Sequence, residues 1–239
     1  KTSNVKALSV ERPESLKYVR VDKSRVEIPE NARELRLERY DAGWGLASPT
    51  TKTLHKRAGL SGPLDDIWYG PFVVVVGTQD PQQTETNRLV AEELRRYNYR
   101  TDVAVPIVRD VDVTDTLLNE SSLMLVGNPR SNLITARAQS KLPVRFEEKA
   151  LRFGDERFEG DDVGVSLIYP SPFNTDRYLV LHAGVTRTGT LSARNLPALV
   201  PDYLVYDKGI RAQYGAKVLD KRRVLKGGFF DENWKSSPR

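Results

Sequence analysis

The 239-residue chain contains no cysteine. This absence excludes disulfide bonds, a thiolate nucleophile, zinc–thiolate sites and cysteine-ligated iron–sulfur clusters. A chain without cysteine suits an extracytoplasmic bacterial protein, which is the location we expect, and it is also compatible with the cytosol. The sequence opens on Lys1 rather than on methionine, and no signal peptide precedes the first strand-like residues. We therefore expect the N-terminus to have been produced by a cut.

Histidine is scarce as well, and the motifs that mark common catalytic sites are missing. The two histidines, His55 and His182, have no spacing typical of a metal site. The nucleophile elbow G-x-S-x-G, the Walker A loop and a G-x-G-x-x-G run after a strand are all absent from the chain. The sequence therefore predicts no cofactor, no metal and no catalytic residue, and it leaves open whether the protein is an enzyme.

No apolar run approaches the roughly 20 residues that a membrane-spanning helix requires. Lysine and arginine outnumber aspartate and glutamate by 37 to 32. The basic residues are scattered among acidic ones and do not form a stripe with interleaved aromatic residues, as a nucleic-acid-binding surface would. We expect neither a membrane span nor a nucleic-acid partner.

The most apolar run is FVVVV at Phe72–Val76, which lies between an aromatic cluster and Gly77. Five consecutive β-branched or aromatic residues without polar alternation are typical of a strand that is covered on both faces. A buried helix gives a similar short run, but four valines in succession and the glycine that follows favour the strand. Phe72–Val76 is therefore predicted to be the central strand of a sheet.

The first 47 residues have a different pattern. Short period-2 runs separated by polar turns predict a small antiparallel β unit over residues 1–47, with Trp44 as its apolar anchor. Residues 48–62 show no periodicity and are predicted to be a linker.

Strands and helices alternate over residues 63–239. Aspartate is a preferred N-cap residue, so Asp80 is predicted to begin a helix. The apolar stripe that follows predicts that this helix is amphipathic and includes Tyr97. Further strands are predicted at 103–108, 123–126, 163–169, 177–183 and 203–206, a hairpin at 144–160, and helices at 131–140, with Ser131 as cap, and at 188–196. Pro106 indicates that its strand lies at a sheet edge or bends there. The expected fold is a three-layer α/β/α sandwich of the flavodoxin or Rossmann type with a mostly parallel sheet.

Three of the predicted strands end in polar residues that lead into a helix. In an open α/β sheet the carboxyl ends of the strands meet at a crevice where helix N-termini present free N–H groups, which favours anions. We therefore predict a crevice for a small anionic ligand such as phosphate or a carboxylate. The predicted ligand-binding residues are Thr78, Asn128, Arg130, Ser131, His182, Thr186 and Arg187. Any doubly wound domain also uses such residues as turns and caps, so a purely structural role is the alternative.

A family resemblance extends over nearly the whole chain. The segment HKRAGLSGPLDDI at residues 55–67 resembles a segment of large bacterial α/β-hydrolase proteins of the prolyl oligopeptidase type, where it opens a region downstream of the catalytic domain. Shorter matches follow in the same order, among them Gly127-Asn128-Pro129 with Asn132, Tyr169-Pro170 with Pro172, Pro201-Asp202-Tyr203, and Gly228-Phe229-Phe230-Asp231 with Trp234. Trp68 and Tyr69 depart from the smaller residues that such segments often carry. No catalytic residue of that family maps onto this chain.

Two hypotheses about function follow. The resemblance implies a non-catalytic accessory or interaction domain of a larger hydrolase, whose catalytic domain or chain lies upstream of Lys1 and is its partner. The alternative is an autonomous binding domain or enzyme that uses the crevice at the strand ends, similar to flavodoxin-like or cell-wall-binding modules. The missing nucleophile motif favours the first hypothesis, and the three polar strand ends favour the second.

Overall fold

The computed structural model describes residues 2, 4–11, 16–29, 34–47, 54–96, 105–197, 199–210 and 224–236. The chain divides into two compact units, Lys1–Thr53 and Leu54–Arg239. Residues 54–62, which the sequence assigned to a linker, belong to the second unit and contribute the buried side chain of Leu60 to its core. Tyr97 and residues 103–104, which the sequence placed in a helix and a strand, lie outside the described residues.

Short antiparallel strands build the first unit. They are β1 (Ala7–Glu11), β2 (Tyr18–Val21), β3 (Ser24–Glu27), β4 (Glu34–Tyr40) and β5 (Gly43–Leu46). One sheet has the order β1-β4-β5, and β2 pairs with β3 in a separate hairpin. Alternation along β4 buries Leu35 and Leu37, which form a small core with Val26 and Trp44.

The second unit contains ten strands and four α-helices in its described part. Its elements, in chain order, are β6 (Phe72–Val76), α1 (Pro81–Arg96), β7 (Ile107–Arg109), α2 (Asp115–Glu120), β8 (Ser122–Val126), α3 (Leu133–Ala138), β9 (Val144–Phe146), β10 (Ala150–Phe153), β11 (Glu156–Glu159), β12 (Gly164–Pro170), β13 (Tyr178–Gly184), α4 (Arg187–Ser192), β14 (Tyr203–Tyr206) and β15 (Val224–Gly228). A seven-stranded sheet has the order β15-β14-β12-β13-β8-β6-β7, and a smaller one has the order β11-β10-β9.

The prediction of a mostly parallel three-layer α/β/α sandwich is wrong. The pairs β13/β8, β8/β6 and β6/β7 are parallel, whereas β12/β13, β12/β14 and β14/β15 are antiparallel. Strands make up 38% of the described residues and helices 24%. The physical reason lies in the connections: residues 171–177 join β12 to β13, and this segment is shorter than the dozen or more residues that a parallel crossover needs.

Phe72–Val76 is an interior strand, as predicted, but the prediction that it is the central strand is wrong, because β6 is next to last in the seven-stranded order. β6 lies between β8 and β7, and all five of its residues are buried. The neighbouring β7 follows Pro106 and forms one edge of the sheet, as the proline predicted. α1 begins after Asp80, whose carboxylate accepts a hydrogen bond from the backbone N–H of Gln82 at 2.9 Å, so the predicted N-cap is also confirmed.

The helices α1 and α4 lie side by side on one face of the sheet, α1 against β6 and β8 and α4 against β12 and β13. Two glycines allow α4 to approach the strands closely. A Cβ atom on Gly184 would lie 2.2 Å from the Thr190 nitrogen, and one on Gly189 would lie 2.2 Å from the Val163 carbonyl oxygen. No side chain fits at either position, so α4 rests directly on the backbone of the sheet.

Candidate functional site

The carboxyl ends of the parallel strands β6, β8 and β13 lie next to one another. Val76 pairs with Val126, and Val126 pairs with His182, so the polar segments that follow the three strands start from one edge of the sheet. We call the space at this edge the strand-end crevice. What it offers a ligand depends on how many of its polar groups already have partners within the protein.

Asn128 joins the ends of β8 and β13. Its side chain is buried, and Nδ2 donates to the carbonyl oxygens of Gly184 at 2.9 Å and Val185 at 3.1 Å. Its Oδ1 atom accepts from the backbone N–H groups of Arg130 at 3.0 Å and Ser131 at 3.1 Å. Each of these bonds satisfies a backbone group that the turn would otherwise leave unpaired. The amide of Asn128 is therefore fully used by these bonds within the protein.

Asn132 performs a similar task between β8 and α3. Its Oδ1 atom accepts from the N–H groups of Ile134 at 2.9 Å and Thr135 at 3.1 Å, which makes it the N-cap of α3. Its Nδ2 atom donates to the Val126 carbonyl at 3.0 Å. The prediction that Ser131 caps this helix is wrong, because the Ser131 hydroxyl donates instead to the carbonyl of Asn128 at 3.2 Å.

A buried carboxylate that the sequence analysis missed lies at the end of β7. Asp110 is 1% exposed and accepts hydrogen bonds from the Thr78 hydroxyl at 2.6 Å, the Thr78 N–H at 3.2 Å, the Leu133 N–H at 2.8 Å and the Gln79 amide at 3.1 Å. It thereby ties the turn after β6 to the start of α3. The signal was available, because Asp110 directly follows a predicted strand, as the other crevice residues do.

The side chains of Arg130, Thr186 and Arg187, which were also predicted to bind the ligand, do not share a partner. The Arg130 guanidinium donates to the carbonyl of Glu147 at 3.2 Å, in the connection between β9 and β10. Thr186 is the N-cap of α4, and its hydroxyl donates to the carbonyl of Asp161 at 2.6 Å. Arg187 is exposed and forms no ion pair with any residue that the structure describes. The structure thus brings Thr78, Asn128 and Ser131 to the crevice but does not aim the Arg130 guanidinium at it.

His182 lies within the sheet. Ser166 and His182 are cross-strand partners on β12 and β13, and the Ser166 hydroxyl lies 2.8 Å from Nδ1 of His182 and 3.1 Å from the hydroxyl of Tyr206. Burial lowers the pKa of His182 to about 4 and raises the pKa of the Tyr206 hydroxyl above its usual range. The imidazole is therefore neutral at pH 7.

The serine–histidine contact has only part of the geometry of a catalytic pair. Ser166 is fully buried, and Nε2 of His182 has no hydrogen-bond partner among the described residues. A nucleophile must reach its substrate, and its base is normally oriented by a third group on the opposite ring nitrogen. The arrangement fits a core hydrogen-bond network that holds β12, β13 and β14 together.

A second concavity lies at the amino ends of the same parallel strands. It is a cavity of about 110 Å³ with buried Leu60 and Ile67 in its lining. Asp66 and Tyr178 also line it; the Tyr178 hydroxyl donates to the Asp66 carboxylate and accepts from the Gly62 N–H at 3.0 Å. Burial, and then the Asp66 carboxylate, raise the pKa of Tyr178 well above its usual range. The sequence analysis missed this cavity because its lining comes from separate stretches of the chain, at residues 59–60, 66–71, 122 and 176–178, which no local pattern brings together.

Among the residues that the structure describes, no group of three or more histidine and acidic side chains could hold a metal ion. No helix in the described ranges is both long and apolar enough to cross a membrane.

Comparison of the chain with protein-family models and with curated proteins finds no match.

Proposed function

We propose that this chain is a non-catalytic accessory or interaction domain that accompanies a larger hydrolase. The observation that carries the proposal is that the polar side chains at the strand ends already have hydrogen-bond partners within the protein. Asn128, Asn132 and Asp110, the buried polar groups where an α/β protein would place its ligand contacts, have their oxygens and amide hydrogens bonded to backbone groups of neighbouring turns. Groups committed in this way fix loops in place; releasing them for a substrate would cost about 1–3 kcal/mol for each unpaired buried group.

The same reasoning applies to Ser166 and His182. Their contact is 2.8 Å long, but it lies between two strands, and both side chains are buried. For a substrate to reach the Ser166 hydroxyl, the helix layer over β12 and β13 would have to move. A structural role for the pair is therefore the better explanation.

The hydrolase partner comes from the resemblance of residues 55–67 and the later motifs to the region downstream of a prolyl oligopeptidase-type catalytic domain. In this structure the segment is part of the folded second unit: the N–H of Lys56 donates to the carbonyl of Glu232 at 2.7 Å. A segment held so firmly suits a domain that presents a fixed surface to a partner.

The proposal is tested in two steps. First, the purified chain is assayed with p-nitrophenyl esters and chromogenic peptides, alongside Ser166→Ala; we expect no turnover that depends on Ser166. Second, the sequence encoded upstream of Lys1 is determined, and any hydrolase found there is produced separately and titrated with the chain by calorimetry. We expect a complex. Ser166-dependent turnover, or an upstream hydrolase that does not bind, would overturn the proposal.

A second candidate function is binding of a small anion near the start of α4. The observation that favours it is Arg187, an exposed guanidinium that follows the N-cap Thr186 and has no acidic partner in the described ranges. A phosphate-dependence experiment, described in the Discussion, separates this candidate from the first.

A further inference from the structure

The small sheet β11-β10-β9 has three arginines side by side on one face. Arg152 on β10 is the direct cross-strand partner of both Arg145 on β9 and Arg157 on β11. Directly opposite residues of antiparallel strands share a face of the sheet, so these side chains project next to one another, one from each strand. We call the three residues the arginine row. The opposite face of the sheet contributes Leu151 and Phe153 to the buried core.

The arginine row is an unfavourable arrangement for the fold itself. Like charges directly opposite each other on neighbouring strands destabilise a sheet, and an arginine side chain stays charged at any physiological pH. The row is open to solvent, because Arg145 is exposed and the side chains of Arg152 and Arg157 are 42% and 40% exposed. A local arrangement that opposes folding is expected where a protein has a function to perform.

Two glutamates neutralise the row only in part. Glu147 accepts hydrogen bonds from Nε of Arg157 at 2.7 Å and from Nε of Arg152 at 3.4 Å. Glu159 forms an ion pair with Nη1 of Arg157. Within the described ranges the guanidinium of Arg145 has no partner, and neither have the two Nη groups of Arg152. The row therefore offers an external ligand a set of charged N–H donors that the protein leaves unused.

We propose that the arginine row binds an acidic peptide segment of a protein partner, in which carboxylate side chains occupy alternate positions of an extended chain. Neighbouring strands lie about 4.8 Å apart, so the row is about 10 Å long, and alternate side chains of an extended peptide are about 6.7 Å apart. One short segment thus places two carboxylates on the row. Arginine suits them because its planar guanidinium donates two parallel hydrogen bonds to a carboxylate. The identity of the partner rests on the accessory role proposed above.

The chemistry of this face favours a peptide over a nucleic acid. Proteins that bind single-stranded nucleic acid place aromatic side chains beside their basic residues, because the bases stack on them. The strand positions that share the face of the row carry Ala150 and Glu159 and no aromatic residue. The carboxylates of Glu147 and Glu159 would also repel a backbone that is charged at every nucleotide, whereas a peptide can present uncharged residues to them.

Fluorescence anisotropy with the labelled peptide ESESESE tests the site, and the uncharged peptide QSQSQSQ is its control. We expect ESESESE to bind the full chain and to dissociate as salt is added, because salt screens exposed charges. Arg145→Gln and Arg152→Gln should each weaken binding by about 5-fold. Arg88→Gln removes an equal charge from α1, where Arg88 pairs with Glu85, and should leave binding unchanged. Arg145→Gln relieves repulsion within the row, so its melting temperature should not fall below that of wild type.

The proposal is overturned if ESESESE does not bind, if QSQSQSQ binds equally well, or if the two row substitutions change binding no more than Arg88→Gln does. Tighter binding of a labelled single-stranded oligothymidylate through the same arginines would overturn it in favour of a nucleic-acid site. Any hydrolase encoded upstream of Lys1 is then titrated with the same variants. A complex that Arg145→Gln and Arg152→Gln do not weaken would overturn the arginine row and leave the accessory role in place. If ESESESE binds through the row and the hydrolase does not bind, only the accessory role fails.

Discussion

The ammonium group of Lys56 lies 2.5 Å from the carboxylate of Asp202, whose side chain is completely buried. The same carboxylate oxygen accepts from the N–H of Phe230 at 2.9 Å, and the Lys56 ammonium lies 4.9 Å from the ring centroid of Trp234. Asp202 thus connects Lys56, near the start of the second unit, with Phe230, near the end of the described chain. Removing one partner of such a pair leaves a buried charge without compensation, which costs more than the pair contributes when intact.

We expect Lys56→Met to lower the free energy of unfolding by about 3–5 kcal/mol, measured by urea denaturation. The adjacent Arg57 provides a matched control. Its ion pair with Asp176 is exposed on both sides, so Arg57→Met should cost at most about 1 kcal/mol. Adding Asp202→Asn to Lys56→Met should restore part of the lost stability, because it removes the unpaired charge. Equal losses of unfolding free energy in Lys56→Met and Arg57→Met would contradict the role given to the buried ion pair.

Asn128→Ala should destabilise the fold by at least about 3 kcal/mol, because it leaves the carbonyls of Gly184 and Val185 and the N–H groups of Arg130 and Ser131 without their buried partner. Asn174→Ala is the control. Asn174 also bonds a backbone carbonyl and a backbone N–H, but nearer the surface, where water can replace it. Thermal and urea unfolding measure both. If Asn128→Ala lowers the free energy of unfolding no more than Asn174→Ala does, the hydrogen bonds of the crevice contribute little to stability.

His182 should make the protein less stable as the pH falls from about 6.5 to about 4. Burial lowers its pKa from the ordinary value of 6.5 to about 4, so over this range the unfolded chain binds a proton that the folded protein does not. The free energy of unfolding should therefore fall by up to about 1.4 kcal/mol for each pH unit lost, with no contribution above pH 6.5. His182→Gln should remove this part of the slope, and His55→Gln, at the surface, should retain it. Identical slopes in wild type and His182→Gln would refute the assignment.

Phosphate should stabilise the protein no more than chloride at matched ionic strength. This follows from the proposed accessory role, in which the crevice groups are bonded internally and Arg130 is held by the Glu147 carbonyl. The second candidate function predicts the opposite: phosphate at about 100 times its dissociation constant would add about 2.7 kcal/mol. Thermal melts of wild type, Arg130→Ala and Arg187→Ala distinguish the two. A phosphate-specific shift that disappears in Arg187→Ala would establish the anion site and favour the second candidate.

Some elements could be predicted well because a few consecutive residues are enough to specify them. β6 was evident from five consecutive β-branched or aromatic residues, and the start of α1 was evident from Asp80, which caps the helix in the structure. The direction of a strand has no comparable signal, since parallel and antiparallel strands share the same period. Only the length of the segment 171–177 could have revealed that β12 and β13 form a hairpin.

The two concavities were predictable to different degrees. The residues of the strand-end crevice follow their strands directly in sequence, so Asn128 and Thr78 could be placed together, and Asp110 was missed although it has the same position. The cavity beside Tyr69 depends on a short 3₁₀ helix, Leu64–Tyr69, and on Leu60, within residues 54–71. Such a segment is stabilised by tertiary contacts rather than by an intrinsic periodic pattern, and the sequence alone therefore assigned its first half, residues 54–62, to a linker.

The division of the large sheet into a parallel and an antiparallel half has a consequence for the order of folding. In the β12–β13 hairpin Pro170 pairs with Tyr178, eight positions later, and the ladder extends from there. In the parallel half Phe72 pairs with Ser122, fifty positions later. Closing the longer loop costs about 1.6 kcal/mol more in chain entropy. We therefore expect the hairpin to be formed in the transition state before β6 and β8 join it, so that the C-terminal half of the chain serves as the template on which the N-terminal strands of the sheet assemble.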